Sequence, residues 1–195
     1  MVPSASPTAD TVAFESSIRG GEQPTVGCRR FRGLQGISGR RTGMDDEIED
    51  LSPLPEEAAA MVEHAIEQEH GYLSWLGTEV TAIERGKIVL TVPYDEKLTN
   101  SDGETIHGGV AATLIDTAGG IAQQTCIENP LSSSAATVNL NVNYLRRATG
   151  DLRAVGEVIR HGGTIGVSDL RVESQTPDGN VREVVVGQGS YRLFR

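Results

Sequence analysis

One carboxylate, Asp116, stands alone in a 21-residue stretch, TIHGGVAATLIDTAGGIAQQT (105–125), that contains no other charged residue apart from the titratable His107. Ala111, Ala112, Leu114, Ile115, Ala118, Ile121 and Ala122 make the stretch apolar nearly all round, which predicts a helix enclosed by other structure. The helical neighbours of Asp116 three and four positions away are Ala112, Thr113, Gly119 and Gly120, all small, so the carboxylate would rise from a smooth groove floor. A carboxylate in such a helix is costly unless it is paired or used. Used, it can take a proton from water or attack an electrophile. Paired, it would be satisfied by a nearby hydroxyl such as Thr113 or Thr117.

His107, Gly108 and Gly109 fall where this helix should begin. Adjacent glycines there let another group come close to free backbone N–H groups at the positive end of the helix dipole. A carbonyl oxygen turning into an oxyanion would be well placed at that point. No metal-ligand spacing is visible: His64, His70, His107 and His161 are scattered, and neither cysteine lies near one of them in a ligand pattern.

HGGVAATLIDTAGG resembles the core of hotdog-fold acyl-CoA thioesterases, in the subgroup that includes the phenylacetate-degradation thioesterases. The shared features are the HGG turn and an acid nine residues after its His. Downstream, TVNLNVNYLRRA and GDLRAVGEVIRHGGTIGVSDLRVE resemble that family's consecutive strands, so the likeness covers roughly residues 70–195. It implies an α+β hotdog fold, a curved antiparallel sheet wrapped around one central helix, with the site at a dimer interface. It also implies hydrolysis of an acyl- or aroyl-CoA thioester to free acid and CoA, without metal or organic cofactor.

By the same resemblance, the Gly108 N–H is the oxyanion donor, with Gly109 beside it. Asp116 comes from the other subunit, as general base or as nucleophile forming a transient anhydride. The family commonly places Asn or Gln fifteen residues before the acid; that position is Ser101 here, with Asn100 one residue earlier, so either can fill the role. Thr137 occupies a strand position suited to holding the attacking water. His107 shapes the turn before the helix. Tyr94, Tyr144 and Leu145 suit an aromatic or medium aliphatic acyl chain, and Arg146, Arg147, Arg160 and His161 are candidates for the CoA phosphates. Two other readings stay open: a non-catalytic acyl-CoA-binding or sensing protein, and a hotdog enoyl-thioester hydratase, whose paired His and Asp or Glu are not found.

The chain of 195 residues is long enough for one domain with extensions, and no apolar run approaches the length of a membrane span. Cys28 and Cys126 make an unpromising disulfide pair, since one lies in a polar leader and the other at the end of the apolar helix; reduced thiols in a cytoplasmic protein are expected. Residues 1–43 carry six Arg and three acids, whereas the remaining 11 basic residues face 24 acidic ones and only two are Lys. Such an acidic, Lys-poor domain is the pattern of proteins adapted to high salt, and equally of an acidic cytosolic protein. It disfavours nucleic acid as a partner, because the phosphates would be repelled.

The elements that must position these groups follow in order. Residues 1–43, rich in Gly, Ser, Pro and Arg, are expected to be a disordered leader; a start at Met44 would remove it. Residues 44–54 are an acidic linker, and the hotdog domain runs over 55–195. A helix is expected from Pro55 to about Gly71, then strands over 76–84 and 87–94 and a polar loop to the central helix. Four further strands are expected over 134–147, 151–161, 164–176 and 181–194. One helix cannot cover both ends of such a sheet, so a homodimer with a continuous sheet is expected, further assembled to a tetramer.

Overall fold

The computed structural model describes residues 53–194 apart from Asn129, Leu131, Ser132 and Pro177. The leader expected at 1–43, and nearly all of the acidic linker, lie outside these residues. Helix α1 (Glu56–His64) follows Pro55, with Glu56 and Glu57 in the first turn, where the helix dipole favours acids. It continues through a π-type turn, Ala65–Glu69, and the chain breaks at His70. A second short helix, α2 (Gly71–Leu76), ends at Gly77 in the left-handed conformation, φ 73°.

Here the structure departs from the expected strand start at 76. Leu73 and Leu76, three apart, are both buried while Trp75 between them stays exposed, which is helical spacing. A short apolar run does not separate helix from strand by pattern alone.

Six antiparallel strands make one sheet: β1 (Glu79–Glu84), β2 (Lys87–Val92), β3 (Ser134–Tyr144), β4 (Leu152–His161), β5 (Ile165–Gln175) and β6 (Val181–Phe194), in the order β1-β2-β4-β5-β6-β3. β3 stops at Tyr144 rather than 147, because the amides of Leu145 and Arg146 both turn to the Val184 carbonyl. Helix α3 (Gly108–Thr125) starts three residues later than the apolar stretch. It lies against the sheet through Leu114, Ile115, Ala118 and Ala122, all fully buried. Two glycines set how close it lies. A Cβ on Gly156 of β4 would sit 2.5 Å from the Ala118 carbonyl, and one on Gly119 would strike the Tyr191 phenol of β6.

The enclosure of α3 is one-sided. Ala112, Thr113, Asp116, Thr117 and Gly120 are only half-buried, so one stripe of the helix is left partly open. The α+β hotdog arrangement, one central helix on an antiparallel sheet, is as expected. No described helix is long and apolar enough to cross a membrane.

Candidate active site

Helix α3 begins at a built cap. His107 is extended (φ −60°, ψ 132°), and its Nδ1 accepts the Gly109 N–H at 2.9 Å. An accepting Nδ1 requires a neutral ring with its proton on Nε2. A Cβ on Gly109 would lie 2.8 Å from that nitrogen, so the glycine lets the cap close. The Gly108 N–H, first amide of the helix, has no acceptor among the described residues and points out of the positive end of the dipole. Tyr144 at the end of β3 donates its hydroxyl to the Gly108 carbonyl at 3.1 Å. Gly108 lies against the Tyr144 ring at the end of β3, whereas Gly119 and Gly156 set how closely the body of the helix meets the sheet.

Gly108, Asn100, Tyr144 and Arg146 line one recess of about 400 Å³. Asn100 is held by two bonds to the Thr105 carbonyl, from its main-chain N–H at 2.8 Å and its Nδ2 at 3.2 Å, which leaves its side-chain oxygen available. Ser101 is not among the residues lining the recess. The loop carrying both is tied down by Asp102. Its Oδ1 accepts the amides of Thr105 (2.9 Å) and Glu104 (3.1 Å), and its Oδ2 accepts Arg147 Nη2 at 2.7 Å. Arg147 also donates to Thr105 Oγ1 at 2.8 Å. The Thr105 bonds, with those from Glu104 and Arg147, hold the Asp102 carboxyl well below the usual carboxylate range. Arg147 thus serves as a loop clamp, a role the sequence reading missed; the Asp-Gly turn signal was its trace.

Asp116 sits eight residues along α3 from Gly108, about 12 Å at the helical rise. Its Oδ1 accepts the Thr137 hydroxyl at 2.7 Å. The expected local partner Thr113 instead donates back to the Gly109 carbonyl. Thr137 reaches Asp116 from β3 beside a bulge at Val138, the kind of irregularity that re-aims a strand residue. Its register partner on β6 is Tyr191, fully buried, whose hydroxyl donates to the Asp116 carbonyl at 3.3 Å. Burial and, second, the Asp116 charge push the Tyr191 phenol up. Tyr191 was not singled out from the sequence, although Tyr191 and Leu193 alternate inward on β6 and mark a packed face.

One chain therefore holds two clusters, Gly108–Asn100–Tyr144–Arg146 and Asp116–Thr137, that cannot reach the same carbonyl. His161 joins neither: its Nδ1 lies 3.0 Å from Gln123 Oε1, near the far end of α3, about 22 Å along the helix from Gly108.

Residues 103–179 match the model of the thioesterase superfamily. A Halobacterium salinarum protein described as a candidate esterase is 46% identical over 144 residues, covering 72% of this chain and 95% of that protein. A 1,4-dihydroxy-2-naphthoyl-CoA hydrolase of Listeria monocytogenes is 27% identical over 107 residues, covering 54% of this chain and 85% of the hydrolase. In fold, the chain is similar to the Escherichia coli PaaI protein from the phenylacetic acid degradation operon: TM-score 0.59, 21% identity, 70% of this chain and 94% of that one. The chain belongs to the thioesterase superfamily.

Proposed function

We propose that the protein hydrolyses acyl- or aroyl-CoA thioesters at a site completed by a second copy of the chain. The observation that carries this reading is the placement of the two clusters at opposite ends of β3. Thr137, holding Asp116, lies near the start of that strand, and Tyr144, holding Gly108, is its last residue. β3 is a sheet edge, eleven residues long and largely exposed. If it pairs with its own copy in antiparallel sense, the start of one β3 meets the end of the other, so one Asp116 approaches the partner's free Gly108 N–H. In such a pair the half-buried stripe of α3 would be available to the partner's helix.

In this site the thioester oxygen takes the Gly108 N–H, and developing negative charge on it is stabilised there. Asp116 either removes a proton from the water that attacks the carbonyl or attacks it directly to form an anhydride; Thr137 fixes the reacting carboxylate. Cleavage of the C–S bond expels the CoA thiolate, which takes up the proton released from water; on the anhydride route water then hydrolyses the anhydride to free acid and restores Asp116. The free side-chain oxygen of Asn100 would orient that water. The Listeria hydrolase supports a CoA thioester as substrate class.

Purified protein incubated with a panel of acyl- and aroyl-CoA thioesters and a thiol reagent tests the reading. Release of CoA thiol by the wild type and not by Asp116→Asn is expected. Tight binding of a thioester with no thiol released from any member would instead make this an acyl-CoA-binding protein.

A further inference from the structure

Thr105 is the hub of the loop that carries Asn100. Its N–H goes to Asp102 Oδ1 at 2.9 Å, and its hydroxyl accepts Arg147 Nε at 2.8 Å. Its carbonyl accepts both Asn100 donors, the main-chain N–H at 2.8 Å and Nδ2 at 3.2 Å. A carbonyl can only accept, so the nitrogen of the Asn100 amide must face it and Oδ1 is turned away from it. Asn100 and Thr105 both line the recess at Gly108. Arg147, just past the end of β3, lines it too but directs its donors at the hub, since its Nη2 takes Asp102 Oδ2 at 2.7 Å. The next residue, Ala148, gives its carbonyl to the Ile106 N–H at 2.8 Å. One planar guanidinium thus fixes the Thr105 side chain together with the carboxylate that holds the Thr105 amide. The ion pair is open to solvent, Arg147 being 65% and Asp102 39% exposed, so it adds little to global stability. What it governs is the pose of the loop.

We infer that Arg147 is a positioning residue: acting through Thr105, it presents the Asn100 side-chain oxygen, as an acceptor, to the attacking water. This rests on the thioesterase reading for what reacts in the recess. An acceptor there takes one hydrogen of the water and leaves the oxygen lone pair for the carbonyl. A rotated Asn100 would offer N–H instead and hold the water by the lone pair that must attack.

Arg147→Ala and Thr105→Val should each lower kcat about tenfold with KM and melting temperature unchanged, and Thr105→Ser should restore turnover. In an Asn100→Ala background Arg147→Ala should have no further effect, because the group it positions is gone. A full additional loss there, or a rise in KM that puts Arg147 on the substrate itself, would overturn the assignment. Amide hydrogen exchange on the full chain reads the same hold without turnover. Arg147→Ala should speed exchange at the Asn100 amide about tenfold, while the Gly109 amide, bonded to His107, exchanges as in wild type. Equal acceleration at both amides would mean that Arg147 merely braces the whole turn, and no change at Asn100 would mean that it holds nothing there; either result refutes the inference. A faster Asn100 amide in a protein that hydrolyses no thioester would keep the hold and refute the reaction.

Discussion

Thr137 Oγ1 donates to Asp116 Oδ1 at 2.7 Å, joining an edge strand to the central helix across 21 residues of sequence. Because the adjacent strand holds the Asp116 main chain through Tyr191, the carboxylate is positioned from two strands at once. Asp116→Asn keeps size and removes the basic, nucleophilic oxygen. We expect kcat to fall by a factor on the order of 10²–10⁴ with KM and melting temperature little changed. Near wild-type turnover would remove Asp116 from the mechanism.

Thr137→Val keeps shape and deletes one hydrogen bond to a charged group, worth about 1.5–3 kcal/mol when well shielded and less at this exposed position. A loss of about tenfold in kcat is expected, with Thr137→Ser restoring most of it. If serine fails to rescue, the hydroxyl is not what matters.

Gly108→Ala and Gly156→Ala should separate chemistry from packing. A Cβ at Gly108 would stand 2.9 Å from Tyr144 Cε1, at an exposed ring that can swing aside, whereas one at Gly156 would meet helix backbone at 2.5 Å. We predict that Gly108→Ala loses activity while keeping its melting temperature. Gly156→Ala should cost about 1–3 kcal/mol of stability. Chemical denaturation beside a turnover assay checks both, and a reversed pattern would move the site away from the HGG turn.

Asn100→Ala should reduce kcat more than Ser101→Ala, because Asn100 lines the recess with Gly108 and Ser101 does not. Parallel kinetics on the two variants decide between them; a larger effect at Ser101 would show that the loop rearranges in the working site.

The Asp102 clamp carries a signed pH dependence. Its carboxyl is held below the unfolded-state value of about 3.9. The clamp therefore stabilises the loop above that pH and is lost as pH falls below it towards the depressed folded value. Hydrogen exchange at the Thr105 amide should be slower in wild type than in Asp102→Asn at neutral pH, and the two should converge in acid. A gap that widened on acidification would contradict the sign.

Burial pushes the Cys126 thiol up to about 11. In a Cys28→Ser variant, where Cys126 is the remaining cysteine, the native protein should react slowly with a thiol reagent at pH 8 and rapidly once unfolded. Fast native reaction would mean that this end of α3 opens readily.

The sequence alone carried the helix, its start at HGG, the place of Asp116 along it and the four later strands, because each is written in local pattern. An uninterrupted apolar stretch, paired glycines after a His and alternation between turn signals are all short-range properties. The break at His70 and the helix at Gly71–Leu76 were not legible, since Leu73, Trp75 and Leu76 around Ser74 are too few to fix either period. Nor were the pairings. Thr137 with Asp116, Tyr191 beneath them, and Arg147 spent on Asp102 depend on strand order β5-β6-β3 and on a bulge at Val138, which bring together residues far apart in the chain. Most of all, only the tertiary structure leaves β3 an open edge. A helical rise sets the spacing of Gly108 and Asp116, but which strand is left at the sheet edge is decided by the order of all six strands.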